Sequence, residues 1–596
     1  MSSHRGSVAG PEAEGASAQL QRLIDWRGAF WIASGVPALV LFSIGGIAGT
    51  TGNVAFLIWA ASMIIGLLMS FTFAELAGLF PNKSGGASVY GAAAWVKYSK
   101  VVAPLTVWCN WVAWTPAIAL GCSIAAAYFL NAVAPMAAPD SPEVAAWVVA
   151  NAASIAPDSA RVTEWLAANA GKTPQDAIAA LLVSDGVNAV SPAIRGWSLF
   201  SAELGSVHLS LNANFFVGVV LLLLAFFIQD RGVLSTARVQ KAIGLVVVVP
   251  MAVVALVPIV TGQITWDHFS PLVPLAVPYV PGAGEWNIGG WTLVLGGMFI
   301  AAWSTYGFET VVCYTREFKN PGSDTPKAIF YSGFLCLALF SLVPFVFQGV
   351  LGLEGMLAPT IVDGSGVAEA MGRMLGGNVI ITNIFVVLMI LALMCFLMTA
   401  MAGSSRTLYQ ASTDGWLPRY LSHVNEHGAP TKAMWTDLVV NLLILSIASA
   451  DVTSFFFILA VSNVCYMLGT FLYMNAGWIH RIDSGHIPRP YKAPNVMLAL
   501  GVVLAFVNIG LVGAGAKVWN PVALWAGLIA ASLIIPVFIF RHYIQDRGVF
   551  PKHMLEDLNL YENYRDSRRA GIWPYLALVA GLVVMLSANW IFVLPS

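Results

Sequence analysis

The sequence predicts an all-α polytopic membrane protein with about 12–13 transmembrane helices. Three observations carry this. Hydrophobic residues make up 58% of the 596-residue chain and charged residues only 10%, against about 25% charged in a soluble globular protein. The mean hydropathy is +0.77. The apolar residues fall in blocks of the roughly 20 residues that a helix needs to cross a hydrocarbon core about 30 Å thick. A water-soluble enzyme and a singly anchored ectodomain are thereby excluded. Lys and Arg (29) balance Asp and Glu (30), so no nucleic-acid partner is expected, because such binding needs a basic surplus.

Thirteen spans are predicted, over 29–49, 54–80, 101–131, 211–229, 241–262, 289–314, 328–352, 377–402, 432–449, 453–478, 495–516, 520–540 and 572–594. They are numbered one to thirteen below. With the N-terminus in the cytoplasm, 24 of the 29 Lys and Arg residues fall on the cytoplasmic side, and only Arg161, Lys172, Arg195, Arg373 and Lys517 fall outside. This is the positive-inside pattern, and one missed or extra helix would invert every later loop. Residues 1–19 lack the apolar core and cleavage site of a signal peptide. A cytoplasmic tail is therefore expected over 1–26, in a plasma-membrane protein. The expected plan is a first five-helix repeat over 27–262 with an extracytoplasmic insert at 132–210, a second, inverted repeat over 289–478, and additional C-terminal helices over 495–596. The insert carries Pro142, Pro157 and Pro174 and amphipathic stretches at 141–152, 159–170 and 174–184, which predict a small helical cap.

Two spans carry chemistry. Span one reads Trp31-Ile32-Ala33-Ser34-Gly35-Val36-Pro37-Ala38-Leu39, with Gly35 and Pro37 two apart at membrane depth. Proline removes a helical donor and clashes with the carbonyl four residues back. Span six reads Ala302-Trp303-Ser304-Thr305-Tyr306-Gly307-Phe308-Glu309-Thr310, a polar run with a glycine inside an apolar helix. Irregular backbone at this depth must be buried in protein or line a cavity. Each of these spans opens a five-helix half, and five being odd, the second half lies inverted. Paired interruptions at matching positions of inverted halves point to a transporter site near the bilayer midplane. Free N–H groups suit a carboxylate and free carbonyls an ammonium group. The expected ligand is thus a small zwitterion between 34–38 and 303–307.

Glu309 reads as the deepest acidic residue. A charge there is costly and functional by default, which makes it the candidate to take up and release a coupling proton. No second deep acid is read, which disfavours a dicationic polyamine. No GxxxxGK[ST] phosphate loop is present, so an ATP-driven pump is not expected. The nine histidines are placed in loops or tails and the six cysteines form no CxxC pair, so no cofactor, metal site or membrane enzyme is expected. A channel is disfavoured because the polar positions gather at one depth.

Four strings then bring a family into view. Ala74-Glu75-Leu76-Ala77-Gly78-Leu79-Phe80-Pro81 with Gly85-Gly86-Ala87-Ser88-Val89-Tyr90 follows span two. Glu317-Phe318-Lys319-Asn320-Pro321 with Pro326-Lys327-Ala328-Ile329 follows span six. Ser405-Arg406-Thr407-Leu408-Tyr409 with Asp414-Gly415-Trp416-Leu417-Pro418 follows span eight. Arg489-Pro490-Tyr491-Lys492-Ala493-Pro494 follows span ten. In this order they resemble the amino acid–polyamine–organocation (APC) superfamily, amino acid permease branch. The resemblance implies a LeuT-like inverted five-helix repeat fold with two further helices. It implies secondary active transport of an amino acid or related amine by alternating access, proton-coupled, with amino acid exchange or polyamine permeation as alternatives. Spans one, two, six and seven are expected to rock against three, four, eight and nine.

Carried over residue by residue, the carboxylate-holding break falls on Ser34 and Gly35 and then Val36, Pro37 and Ala38. The aromatic that closes over substrate falls on Trp303, followed by Ser304, Thr305, Tyr306 and Gly307. The substrate-facing positions of span three fall on Ala113, Trp114 and Ala117, and the proton-sensing position on Glu309. Thr399 of span eight and Ser462, Asn463 and Tyr466 of span ten are further polar candidates. Some proton-coupled relatives place a lysine in span five; the matching stretch here is Val246-Val247-Val248-Val249, so that device is expected to be absent. Glu75 and Glu317 are expected to form ion pairs at the cytoplasmic ends, with Lys319 able to join either.

Overall fold

The computed structural model describes residues 20, 22–137, 139–168, 173–204, 207–274, 284–551, 554 and 568–594. Twelve stretches of the described residues are long and apolar enough to cross a membrane. The first, Trp26–Leu79, has 54 residues and would measure roughly 80 Å if straight, far more than one bilayer core. It holds two crossings. Gly52 takes φ 64° and ψ −141° and ends the helix Val40–Thr51, and the 3-10 turn Gly52–Val54 leads into the helix Ala55–Leu79. Spans three to thirteen follow as Val102–Val133, Ala213–Asp230, Thr236–Val260, Ile288–Glu317, Pro321–Met356, Val379–Thr413, Thr431–Ala448, Val452–Asp483, Asn495–Trp519, Ala523–Gln545 and Trp573–Ile591.

The packing is that of an inverted repeat. Spans one and six, two and seven, three and eight, and four and nine each lie against their counterpart in the other half. Span three is enclosed by spans four, eight, nine and ten. Small residues such as Ala113, Ala117 and Ala119 let those neighbours approach closely, and all three are buried.

The insert is not wholly helical. Its helices Pro142–Ala150, Ala160–Ala168 and Pro174–Val190 share a small core of Ile155, Val162, Ala177 and Leu182. Pro142 and Pro174 each stand in the first turn of their helices, where a missing N–H costs little. Thr173 and Asp176 form a reciprocal capping box. The chain then makes an antiparallel hairpin of Ser198–Leu204 and Val207–Asn212 before span four, so the cap expected to be helical carries a short hairpin beside its helices. The signal was present: Val207, Leu209 and Leu211 alternate with His208, Ser210 and Asn212, the period of a strand.

Two further differences concern the face that carries most of the basic loops. A helix over Ala87–Trp95, left unassigned by the sequence, is buried along its whole length. Tyr90 stacks on Phe80 at 5.1 Å, and Trp95 donates to the Leu472 carbonyl of span ten at 2.9 Å. Span ten also runs past its predicted end to Asp483, which brings His480 into the helix, where its ring nitrogen donates to the Tyr90 carbonyl at 2.8 Å. His542 likewise falls inside span twelve. The expectation that every histidine lies in a loop or tail therefore fails for these two.

Candidate functional site

Span one is α-helical over Trp26–Ala33, passes Ser34 and Gly35, and runs as 3-10 helix over Val36–Leu39 before Val40–Thr51 resumes the α-helix. Ser34 (φ −64°, ψ −12°), Gly35 (φ −77°, ψ −19°) and Leu39 (φ −61°, ψ −19°) all keep right-handed dihedrals. The break is thus a tightening of the helix around Pro37. Side chains from two other spans meet its carbonyls. The Thr399 hydroxyl of span eight donates to the Ile32 carbonyl. Gln240 of span five places Nε2 3.1 Å from the Ile32 carbonyl, 2.8 Å from the Cys395 carbonyl and 3.0 Å from Thr399 Oγ1. A span-five side chain that reaches the break is therefore the Gln240 amide, six residues before the valine stretch compared with relatives.

Span six breaks in the same manner. Its α-helix Ile288–Thr305 passes Tyr306 into 11 residues of 3-10 helix, Gly307–Glu317. Runs of 3-10 helix beyond three or four residues are uncommon and mark hinges.

The two breaks touch. Ser304 Oγ donates to the Leu39 carbonyl at 3.4 Å, and a Cβ placed on Gly307 would lie 3.0 Å from Leu39 and 3.3 Å from Val36. Beside this contact is a small, nearly closed cavity of about 10 Å³, about the room of one water, lined by Leu39, Ala113, Trp114, Trp303, Phe396 and Tyr466, all buried. Trp303 donates through its indole to Ser462 at 2.9 Å, and Ser462 donates to the Ala113 carbonyl at 2.8 Å. Spans three, six and ten are thereby joined at the cavity wall.

Of the residues singled out from the sequence, Ala113, Trp114 and Trp303 line the cavity, and Val36, Ser304 and Gly307 make the contact beside it. Pro37, Ala38 and Ala117 are buried outside the lining. Ser34 turns its hydroxyl back onto the Trp31 carbonyl at 2.6 Å. Gly35 packs against span eight, where a Cβ would lie 2.5 Å from the Cys395 carbonyl carbon. Thr305 bonds Ser62 of span two at 2.8 Å, and Tyr306 donates to Asn508 of span eleven at 3.0 Å. Leu39 and Phe396 were not singled out; as apolar residues in apolar spans they carry no distinguishing mark. Asn463 donates to the Phe299 carbonyl, one turn before Trp303.

Glu309 is buried and accepts from the Tyr466 hydroxyl at 3.3 Å. Tyr466 thus has its ring on the cavity and its hydroxyl on the acid. The Trp114 indole nitrogen faces the same carboxyl but lies outside hydrogen-bond geometry. Among the described residues no basic group pairs with Glu309.

A second deep acid corrects the sequence reading. Asp437 of span nine is buried and accepts from the Trp111 indole at 2.6 Å, the Thr115 hydroxyl at 2.8 Å and the Ser404 hydroxyl. It ties spans three, eight and nine together. Its position, six residues into Thr431–Ala448, was available in the sequence.

Below the site, the basic-loop face is closed. Leu23 and Ile24 donate to the Glu317 carbonyl at 3.0 and 3.1 Å, and the Lys319 amide returns to the Ile24 carbonyl at 2.8 Å. Glu317 pairs with Arg406, both buried. Glu75 pairs with Arg481 at 2.5 Å and Arg489 at 3.1 Å, and Lys83 with Asp414 at 3.0 Å. The Lys319 side chain is exposed and joins neither glutamate, against the expectation.

An inverted repeat whose two interrupted spans meet at an enclosed cavity defines a multi-pass membrane permease of the APC type. Residues 24–535 match the family model described as "Amino acid permease", and the chain belongs to that family. It is 24% identical over 228 residues to the branched-chain amino acid permease BcaP of Lactococcus lactis, covering 38% of this chain and 46% of that protein. It is 24% identical over 244 residues to the polyamine transporter PUT1 of Oryza sativa (41% and 40%), and 24% identical over 189 residues to the lysine-specific permease LysP of L. lactis (31% and 36%). The chain spans about half the length, or less, of the curated relatives it matches.

Proposed function

We propose that this protein is a secondary active transporter that moves an amino acid across the plasma membrane by alternating access, coupled to protons, with its N-terminus in the cytoplasm. The observation that carries the reading is the contact between the Val36–Leu39 and Gly307–Glu317 breaks at one enclosed cavity. The cavity walls are apolar and aromatic, which favours a neutral amino acid with an apolar side chain, since an unpaired charge there would be desolvated without compensation. Membership of the amino acid permease family and the likeness to BcaP support the same class.

Proton coupling rests on the path from cavity to Tyr466 to Glu309. Gln240 argues against sodium: its neutral amide nitrogen occupies the centre of the three oxygens that a small cation would use. The bias of Lys and Arg to one side supports the orientation. A second reading, transport of a cationic amine, is favoured by one observation: Glu309 stands immediately behind Tyr466 without a basic partner among the described residues.

Uptake of labelled amino acids into proteoliposomes tests this. Accumulation of a branched-chain or other apolar amino acid under an acid-outside gradient, unaffected by sodium, is the expected result. Uptake confined to lysine or polyamines would replace the substrate assignment. Counterflow without response to pH would replace symport by exchange.

A further inference from the structure

The hairpin before span four carries an apolar surface that the described residues leave open. Trp197, Leu199 and Phe200 are 46%, 67% and 54% exposed. Between Ser198 and Phe200 the register of the strand pair slips, and Leu199 stands opposite no residue. Such a bulge re-aims side chains, and here it leaves two large apolar groups outside in succession. The far half of the hairpin is different, with Ser201, Glu203 and His208 exposed. The apolar surface is thus confined to the end next to span four.

The level of that end follows from its neighbours. Span four has 18 residues, Ala213–Asp230, roughly 27 Å of helix against a hydrocarbon core of about 30 Å. With the charges of Asp230 and Arg231 held at headgroup level on one side, Ala213 reaches no farther than the edge of the hydrocarbon on the other. Asn212 and its strand partner Ser198 adjoin it there. Phe216, Val220, Leu224 and Phe227 are exposed along span four at helical spacing, which makes them the stripe that meets lipid. Trp197 packs its ring on Phe216, with centroids 5.7 Å apart, so the hairpin continues that stripe beyond the helix end. The hairpin is also moored. Asn212 donates to the Ser449 carbonyl at 2.7 Å, and His208 Nδ1 lies 2.8 Å from Asp451, both in the turn between spans nine and ten. Arg195, just before the first strand, donates to the Ala134 carbonyl at the end of span three at 2.7 Å. The hairpin cannot sink deeper than this edge. Its sheet has two strands, and the free backbone edge of the first strand needs partners that hydrocarbon does not offer.

We propose that Trp197, Leu199 and Phe200 insert into the headgroup boundary of the leaflet on the insert's side, so that the hairpin is an interfacial anchor whose partner is the lipid surface. Tryptophan is enriched at that level because its ring is apolar and its N–H polar. A fluorophore of the NBD type on an introduced cysteine tests this in nanodiscs, which open both faces of the bilayer to solvent. The six native cysteines are buried, so the introduced thiol is the accessible one. Leu199→Cys is compared with Val149→Cys, on the insert helix Pro142–Ala150, where Val149 is 79% exposed. The quenchers are a phosphatidylcholine with a nitroxide at the top of its acyl chain and aqueous iodide. At position 199 the nitroxide lipid should lower the emission about twofold or more, as fits a group about 5–10 Å into the boundary, and iodide should quench less than at position 149. Iodide quenching equal to that at position 149, with none from the lipid, would place the hairpin in water and overturn the proposal. Protection from both quenchers would overturn it as well, because a second copy of the chain or another protein would then cover the surface. Phe200→Cys gives the same readout should Leu199→Cys fail to fold.

Discussion

Tyr466 connects the cavity to the only acid that faces it among the described residues, so the coupling claim is most exposed at this side chain. Its hydroxyl donates to Glu309 at 3.3 Å, and a hydrogen bond to a charged group contributes about 1.5–3 kcal/mol. Tyr466→Phe should therefore slow proton-driven uptake by about tenfold or more while leaving the protein folded. Glu309→Gln should abolish accumulation driven by a pH gradient and preserve counterflow exchange. Accumulation that survives Glu309→Gln would remove the residue from the coupling path. Gly35 behaves differently. It was legible as a break residue, and its substitution by a large side chain looks at first like a test of binding. The structure shows the site of any added Cβ already filled by the backbone of Cys395 and Phe396. Gly35→Ala should lower the thermal midpoint in detergent, through overpacking of about 1–3 kcal/mol, with or without bound substrate. Glu309 and Trp303 could be found in the sequence because polar and aromatic groups stand out in an apolar helix. Leu39 and Phe396 could not, because nothing in an apolar run distinguishes a cavity wall from a lipid face.

Among the elements, the two interrupted helices were legible as a pair but not in their form. Proline and glycine announce a break, and only three-dimensional packing decides between unwinding and a 3-10 turn. Here Thr399 and Gln240 satisfy the Ile32 carbonyl from the side, so the chain meets its backbone polar groups without opening out. The ion pairs at the basic face were legible only by half. Glu75 and Glu317 could be named, but their partners come from 406 and 89 residues away, a separation that no local pattern reports. Arg406→Met should destabilise the protein by about 3–5 kcal/mol by leaving Glu317 buried and unpaired. The double variant Arg406→Met/Glu317→Gln should recover part of that loss in thermal unfolding. A double variant no more stable than the single one would show that the pair does not act as a unit.

The turn after the buried helix Ala87–Trp95 gives a pH-dependent check on the same face. Burial pulls the Lys97 ammonium down to about 8, against the pull of Asp483, which lies 3.7 Å away. The unfolded chain then binds more protons than the folded one between pH 8 and the ordinary lysine value near 10.5. This group's contribution to stability is complete above that window and is lost as pH falls through about 8. The thermal midpoint of the wild type should thus gain on that of Lys97→Met between about pH 7.5 and pH 9.5. A constant difference would place Lys97 in water.

For the whole molecule, the thirteen spans were readable because the bilayer imposes a length on every crossing and the basic loops fix the parity. The insert was read only in part: its proline-started, capped helices announce themselves, whereas the short alternation of Val207, Leu209 and Leu211 is outweighed by the helices around it. The proposed alternating access would be a property of the whole assembly, and it requires that a solute bind where spans one, three, six and ten converge. The most direct measurement is equilibrium binding of a labelled apolar amino acid to the purified wild type and to Ala113→Phe, which places a ring in the cavity. Saturable binding to the wild type, weakened by about a hundredfold or more in a folded Ala113→Phe protein, is the predicted result. Equal binding by the two would contradict the account, because the solute would then be held somewhere other than between the two breaks.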